Sequence, residues 1–310
     1  MKILITEKID QMGIELILNA GIDADEKLDI SKDELLSIIE DYDGLIVRSA
    51  TKVDKALLEK AVNLKVIGRA GNGMDNIDIE YAKSKGIIAI NTPDSNSIAA
   101  AEHTIGLLIA SCRNIAQGNM SLKNKKWERN KLTGVELFGK TVGIVGLGRI
   151  GSLVATRLQA FGMKVIAFDP YLTEIQMAKL GVNKMETVND LVIQSDFITV
   201  HMPKTKDTIG IIGEEQFKIA KKEMVIINCA RGGLVDEVAL EKALKEGAIA
   251  GAALDVFVEE PSTESPLLDL DNVLVTPHLG ASTVEAQAKA GITIAEYVVK
   301  ILREEMAFNA

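Results

Sequence analysis

The stretch TVGIVGLGRIGSLVATRLQAFGMKVIAFDP, residues 141–170, constrains the fold more than any other part of the chain. An apolar β-type run ends in Gly146, Gly148 and Gly151, an amphipathic helical pattern follows, and the next apolar run closes on Asp169. A bare GxGxxG spacing is a weak signal, because glycines also end helices and make turns. Between a strand and a helix it has a specific reading. Gly146 permits a tight turn, Gly148 lets backbone approach a pyrophosphate, and Gly151 lets the helix sit close to the strand. The amides of Arg149 and Ile150 then open a helix whose N-terminal dipole favours phosphate. Asp169, about 20 residues on, can accept from both ribose hydroxyls of a bound dinucleotide. A 2′-phosphate would meet like charge there, so NAD is expected in preference to NADP. The alternative is a tight turn in an ordinary α/β core, with Asp169 capping the next turn; the strand–glycine–helix context favours the dinucleotide.

The rest of the chain fits an α/β protein. Short β-type runs alternate with helical patterns, the mark of βαβ units and parallel sheets. The first series reads KILIT, GLIVRS, LKVIGRAG and IIAIN, with helical patterns between them, one opened by a capping box from Ser31 to Glu34. One helix is expected over NSIAAAEHTIGLLIASCRNIAQGNMSLK; its apolar residues run nearly all round, so it reads as a buried connector. The second series, TVGIVG, KVIAFD, FITVH, MVIIN, AGAALDV and NVLVT, predicts a six-stranded doubly wound domain. A last helix, opened by a capping box from Ser282 to Glu285, is long enough to pack back on the first series. Two doubly wound parallel-sheet domains are therefore expected. Residues 98–286 form a Rossmann domain inserted in a discontinuous domain of residues 1–97 plus 287–310.

Composition removes several classes. With 310 residues, 47% hydrophobic and 25% charged, the chain can bury two cores. A net charge of −9 argues against nucleic acid as a partner, which needs clustered positive charge. Two cysteines, Cys112 and Cys229, make neither a disulfide framework nor a metal spacing, so no metal and a reducing, cytoplasmic setting are expected. No signal peptide is read at the start, and no apolar run approaches the about 20 residues needed to cross a bilayer.

In open parallel sheets ligands gather beyond the carboxyl ends of the strands. Three polar clusters fall there: Arg231 in VIINCARGG, Asp255 with Glu259 and Glu260 in AALDVFVEEP, and His278 in VLVTPHLGAST. Hydride exchange between NAD(H) and a 2-hydroxy or 2-keto acid needs this set. A guanidinium holds the carboxylate and polarises the carbonyl. An imidazole moves the proton, and a carboxylate orients the imidazole. Singly, His278 could be a structural strand-end residue, Arg231 a surface ion pair and Glu260 a solvated loop residue. Together they read as a catalytic constellation of Arg231, Glu260 and His278.

With these motifs the chain resembles the D-isomer-specific 2-hydroxyacid dehydrogenases over nearly its whole length, and most of all their phosphoglycerate-oxidising branch. VRSATKV, GRAGNGMDNID, NTPDSNSIAAAEHT, GKTVGIVGLGRIG, INCARGGLVDE and VTPHLGAST carry the resemblance. It implies NAD as cofactor, with further contacts from Asn72, Thr104, His201, Met202, Pro203, Cys229, Ala230, Gly280 and Ala281, and from Asp255 to the nicotinamide amide. It implies the first step of serine synthesis, the oxidation of D-3-phosphoglycerate. A glyoxylate or hydroxypyruvate reductase on the same scaffold and an NAD-sensing, partner-binding protein remain as rivals. The chain departs from the family in carrying Asn72 where Thr is frequent and His103 where Leu is frequent. His103, mid-helix among apolar residues, reads as a core or packing histidine rather than a catalytic one, and His201 as lining the cofactor pocket rather than as the acid.

For the substrate, Arg48 and Ser49 end a strand where a guanidinium and a hydroxyl could meet a phosphate; Arg48 could equally be a surface arginine. The AGNG turn with Asn72 and Gly73 offers backbone amides for a carboxylate, and Asn96 could orient the same molecule. The resemblance further implies a homodimer through the NAD-binding domain. Trp127, the one tryptophan, would be its anchor or would pack within its own chain. The end at Ala310 is read as a form without a C-terminal regulatory domain, not inhibited by serine at a remote site.

Overall fold

A computed structural model describes residues 1–308. It begins with strands and helices in alternation: β1 (Lys2–Ile5), α1 (Gln11–Asn19), β2 (Asp23–Glu26), α2 (Lys32–Ile38), β3 (Gly44–Val47), α3 (Lys55–Lys60), β4 (Val66–Arg69), α4 (Ile79–Ser84) and β5 (Ile88–Asn91). Helices α5 (Ser97–Cys112) and α6 (Ile115–Lys123) lead to β6 (Thr141–Val145), α7 (Arg149–Ala160), β7 (Lys164–Phe168), α8 (Glu174–Ala178), β8 (Asn183–Lys184) and α9 (Val188–Gln194). Then come β9 (Phe197–Val200), α10 (Glu214–Ile219), β10 (Val225–Asn228), α11 (Glu237–Lys245), β11 (Gly251–Leu254), β12 (Val273–Val275) and α12 (Val284–Phe308). Two compact units result, Met1–Ser97 with Ala281–Ala310, and Ile98–Gly280. The chain returns to the first unit at Ala281, ahead of the expected residue 287, because α12 packs with first-unit elements from its start. Residues 309 and 310, part of the expected discontinuous domain, lie outside the described residues.

The first unit is a parallel sheet in the order β2-β1-β3-β4-β5. Side chains alternate across it, as the period of two demands. Ile3, Ile5, Ile46 and Val66 face a core shared with Ile14 and Ile17 of α1 and Ile294, Val298 and Leu302 of α12. Leu4, Leu45, Val47 and Ile67 face Leu35, Leu57, Leu58 and Ala82 of α2, α3 and α4. The sequence reading missed β2, whose DADE carries no apolar signal; register with β1 and an ion pair from Lys2 to Asp25 (2.6 Å) hold this edge.

The second unit is a seven-stranded parallel sheet, β12-β11-β10-β9-β6-β7-β8. Six of these are the expected runs; the seventh, β8, is two residues long and invisible to a pattern search. Val142, Ile144, Val165, Phe197 and Ile227 face α5 and α7 through Leu108, Val154 and Leu158. Val145, Ile166, Ile198, Val200 and Ile226 face α9, α10 and α11 through Leu191, Phe217, Leu240 and Leu244.

Two local expectations are corrected. The single connecting helix is broken between α5 and α6, where Asn114 takes a left-handed φ of 51° that ends the first helix. α5 is largely buried, whereas α6 has no buried residue. The cap of α12 is Thr283, not Ser282: its hydroxyl accepts from the Ala286 amide at 3.1 Å. The Ser31 hydroxyl does accept from the Glu34 amide, at 3.2 Å.

α12 reaches the first unit's core because glycines let backbones touch. A Cβ on Gly13 would lie 2.7 Å from the Gly291 carbonyl oxygen, and one on Gly291 would lie 2.7 Å from the Asp10 amide nitrogen. Neither neighbour is a flexible side chain that can give. Gly291→Val is therefore expected to destabilise the protein by about 3 kcal/mol, the upper range for overpacking, read as a lowered urea midpoint at unchanged m.

Candidate active site

The second sheet reverses its order between β6 and β9, the point where such sheets open a crevice beyond their strand ends. The glycine turn follows β6 there. Gly146 has φ of 95°, and a Cβ on it would lie 2.8 Å from the His201 carbonyl oxygen. A Cβ on Gly151 would collide with the Gly146 carbonyl, so α7 starts hard against the end of β6. Gly148, the N-cap of α7, has nothing among the described residues within 4 Å of where a Cβ would stand. Its open side and the exposed first turn at Arg149 form a cradle of the kind that admits a pyrophosphate; Ile150 beside it is half-buried.

Asp169 follows β7 and is 8% exposed. One carboxylate oxygen accepts from the Leu147 amide at 2.9 Å and the other from the Tyr171 amide at 2.9 Å. The glycine turn and the acidic residue are thus bonded to each other, and each oxygen keeps a lone pair for a ribose hydroxyl. These residues fit an NAD molecule.

Beyond β11, Asp255 is wholly buried and organises the loop after β12. Its carbonyl accepts from the His278 amide at 2.9 Å, and its two carboxylate oxygens accept from the amides of Leu279 and Gly280, each at 2.7 Å. The Thr276 hydroxyl and His103 Nε2 also donate to the carboxylate, at 2.5 and 3.1 Å, and His103 Nε2 lies 3.0 Å from Thr276 Oγ1. His103, expected as a core or packing residue, is part-buried and also a hydrogen-bonding partner of the strand-end network. Burial works against the charge on Asp255, but the His103, Thr276, Leu279 and Gly280 bonds hold its carboxyl below the ordinary value.

His278 stands at φ of 54°, a backbone conformation that costs a non-glycine residue energy and is held here by the Asp255 bonds. Its Nδ1 meets Glu260 Oε2 at 2.7 Å. A carboxylate only accepts, so Nδ1 carries a proton and Nε2 is left for chemistry. Glu260 Oε1 accepts from the Phe257 amide at 3.0 Å, which fixes the carboxylate on its own turn. The adjoining Val258 amide donates to Glu237 at 2.6 Å.

Arg231 is half-buried on the loop after β10, and its guanidinium donates to the Ala230 carbonyl at 2.6 Å. Asn228, 2% exposed, clamps this loop: Oδ1 accepts from the Ala230 amide at 3.0 Å and Nδ2 donates to the Arg231 carbonyl at 2.9 Å. A Cβ on Gly232 would collide with the Phe257 carbonyl, so the Arg231 loop lies directly on the turn that carries Glu260. The sequence reading missed Asn228, whose one signal was its place at a strand end before ARGG.

Other predicted contacts are varied in kind. His201, half-buried, bonds the Thr199 hydroxyl at 3.0 Å, and burial pushes its pKa down to about 4, so it is neutral near pH 7. Met202 is buried and Pro203 exposed. Burial raises the Cys229 thiol to about 12, which keeps it an inert thiol. Thr104 is fully buried and donates its hydroxyl to the Ala100 carbonyl at 2.8 Å. Gly280 is buried and Ala281 half-buried.

In the first unit, Arg48 is half-buried, with Nη1 3.4 Å from the Lys8 carbonyl, and Ser49 is exposed. The AGNG turn is partly occupied. The Ala70 amide donates to Val47 and the Gly71 amide to the Thr92 hydroxyl, whereas the amides of Asn72 and Gly73 have no acceptor among the described residues. The Asn72 carbonyl accepts from Asn91 at 2.5 Å. Asn96 Oδ1 is buried without a donor among the described residues.

Because the folded-state carboxyl of Asp255 is depressed, it contributes stability that is present above its ordinary 3.8 and is lost as pH falls through the lower folded value. Asp255→Asn sets an amide NH2 against backbone donors and is expected to cost about 3 kcal/mol at pH 7. In urea titrations across pH, that deficit should narrow only below about pH 4.

A family model described as "D-isomer specific 2-hydroxyacid dehydrogenase, NAD binding domain" matches residues 105–280. A D-3-phosphoglycerate dehydrogenase of Methanocaldococcus jannaschii is 51% identical over 100% of the chain and 59% of its own length. One from Archaeoglobus fulgidus is 47% identical, with the same coverage of 100% and 59%. The chain thus spans about three-fifths of the length of these curated relatives. Among solved structures, a Thermus thermophilus protein superposes with a TM-score of 0.90 at 31% identity, covering 98% of this chain and 97% of that one.

Proposed function

The chain belongs to the D-isomer specific 2-hydroxyacid dehydrogenase family, and on that premise we propose that it oxidises D-3-phosphoglycerate to 3-phosphohydroxypyruvate with NAD. The His278–Glu260 pair, 2.7 Å apart on the strand-end side of an NAD-binding sheet, carries this reading. The name of the 51% identical Methanocaldococcus jannaschii relative supports the choice of substrate.

In this mechanism Arg231 holds the substrate carboxylate with its planar fork. His278 Nε2 takes the proton of the C2 hydroxyl as the C2–H bond breaks, and the carbonyl forms. Bound NAD supplies the acceptor for the hydride. Glu260 keeps the imidazole in the tautomer that leaves Nε2 free and stabilises the imidazolium that results. In the reverse direction the same nitrogen returns the proton. The Gly146–Gly151 turn with Arg149 and Ile150 would hold the pyrophosphate and Asp169 the ribose. Asn72, His201, Met202, Pro203, Cys229, Ala230, Gly280 and Ala281 complete the assigned cofactor contacts, while Thr104 and Asp255, expected among them, are wholly buried and bonded within the protein, so they support the pocket from behind. Arg48 and Ser49 take the substrate phosphate, and the free amides of Asn72 and Gly73, with Asn96, take its carboxylate end.

The decisive assay follows NADH absorbance with 3-phosphohydroxypyruvate, hydroxypyruvate, glyoxylate and pyruvate. The phosphorylated compound should have the highest kcat/KM; a preference for glyoxylate or hydroxypyruvate would instead assign a reductase. His278→Ala should lower kcat by about 10²–10⁴-fold while NADH affinity by fluorescence titration holds within about twofold.

The protein also pairs with a second copy through its NAD-binding unit in this reading. Trp127 is 81% exposed and Phe138 is 78% exposed, and α6 exposes Ile115, Met120 and Leu122. An exposed tryptophan is the kind of large anchor that fills a partner's pocket, and this supports the pairing. Sedimentation equilibrium should give a dimer, and Trp127→Ala should weaken it; a stable wild-type monomer at micromolar concentration rules the pairing out. The two free cysteines, Cys112 and Cys229, support placing the enzyme in a reducing cytoplasm.

A further inference from the structure

Residues 48–51 of the first unit are held from two sides by side chains that the proposed reaction does not use. Glu7, just past β1, turns both carboxylate oxygens to this loop. Oε1 accepts from the amides of Arg48 at 2.8 Å and Thr51 at 2.9 Å, and Oε2 from the amide of Ala50 at 3.1 Å. From the other side, Asn76 Nδ2 donates to the carbonyls of Arg48 at 2.8 Å and Thr51 at 2.7 Å. The hydroxyls of Thr6 and Thr51 share a further bond of 2.8 Å. Burial opposes the charge on Glu7, yet the three amides hold its carboxyl below the usual range, so it remains a full acceptor.

The consequence is a loop with almost no backbone freedom. Of its four amides, the Ser49 N–H is the one without a protein acceptor among the described residues. What the loop presents is therefore a short set of donors: the Arg48 guanidinium, the Ser49 amide and the Ser49 hydroxyl. A phosphate dianion is recognised by such charge-assisted donors in fixed relation. A loop that must be ordered at each binding event loses affinity to that ordering.

We propose that Glu7, backed by Asn76, is a positioning residue for substrate recognition, fixing the 48–51 corner as a preformed receptor for the substrate's phosphate. The proposal rests on the assignment of Arg48 to that phosphate. Neither Glu7 nor Asn76 touches substrate; both act through the loop.

The test compares 3-phosphohydroxypyruvate with hydroxypyruvate, which differs by the phosphate alone, in wild type, Glu7→Gln, Asn76→Ala and Arg48→Ala. Glu7→Gln keeps the size but turns an NH2 group toward backbone donors. Its KM for the phosphorylated substrate should rise about tenfold, the scale of one lost charge-assisted bond, with kcat and the KM for hydroxypyruvate within about twofold. Asn76→Ala should move in the same direction, and serves if Glu7→Gln does not fold. Equal losses on both substrates would reduce Glu7 to a general structural role and overturn the proposal. So would a raised KM in Arg48→Ala alone, with both clamp variants like wild type; the phosphate site would then stand without its clamp. If Arg48→Ala also leaves the phosphorylated KM unchanged, the phosphate assignment itself falls and takes the clamp with it.

Discussion

A single buried carboxylate holds the candidate site in shape. Asp255 gathers three successive amides, those of His278, Leu279 and Gly280, onto its carbonyl and its two carboxylate oxygens. Such a loop has no regular ladder to satisfy its backbone, so it needs one acceptor-rich residue at its centre. The strained φ of His278 is sustained by that arrangement, and from it the imidazole reaches Glu260. Without the Asp255 side chain, the Leu279 and Gly280 amides would lose their acceptors, leaving His278 only the backbone bonds of its own amide.

The same device recurs elsewhere in the fold. Asp169 ties the glycine turn to the end of β7, Asn228 ties the Arg231 loop to β10, and Glu7 ties the 48–51 corner to β1. In each case a side chain near a strand end takes backbone groups that the sheet cannot pair. Loops carrying the candidate site residues are thereby held by strand ends, which is what a site of defined geometry requires.

Much of this was legible in residue order. The glycine spacing needed only a strand before it and a helix after it, and the hydrophobic periods supplied both. Each run long enough to show alternation formed a strand. What escaped had no periodic signal: β2, made of acidic residues on a sheet edge, and β8, two residues long. The break at Asn114 escaped because apolar residues continue on both sides of it, and a left-handed turn leaves no mark on hydrophobicity. The bond of His103 escaped because its partner, Asp255, lies 152 residues away and leaves no local mark.

The sequence by itself determined the parallel α/β architecture and the residue types a 2-hydroxyacid chemistry needs, since periodicity and short-range spacing are local properties. Which acceptor each polar side chain meets was decided by the tertiary structure alone. Hydrogen bonds such as Asp255 to Gly280, or Glu7 to Thr51, join residues far apart in the chain, and they require atoms placed to within a few tenths of an ångström. Only the packed sheets, with their registers fixed, bring those atoms that close.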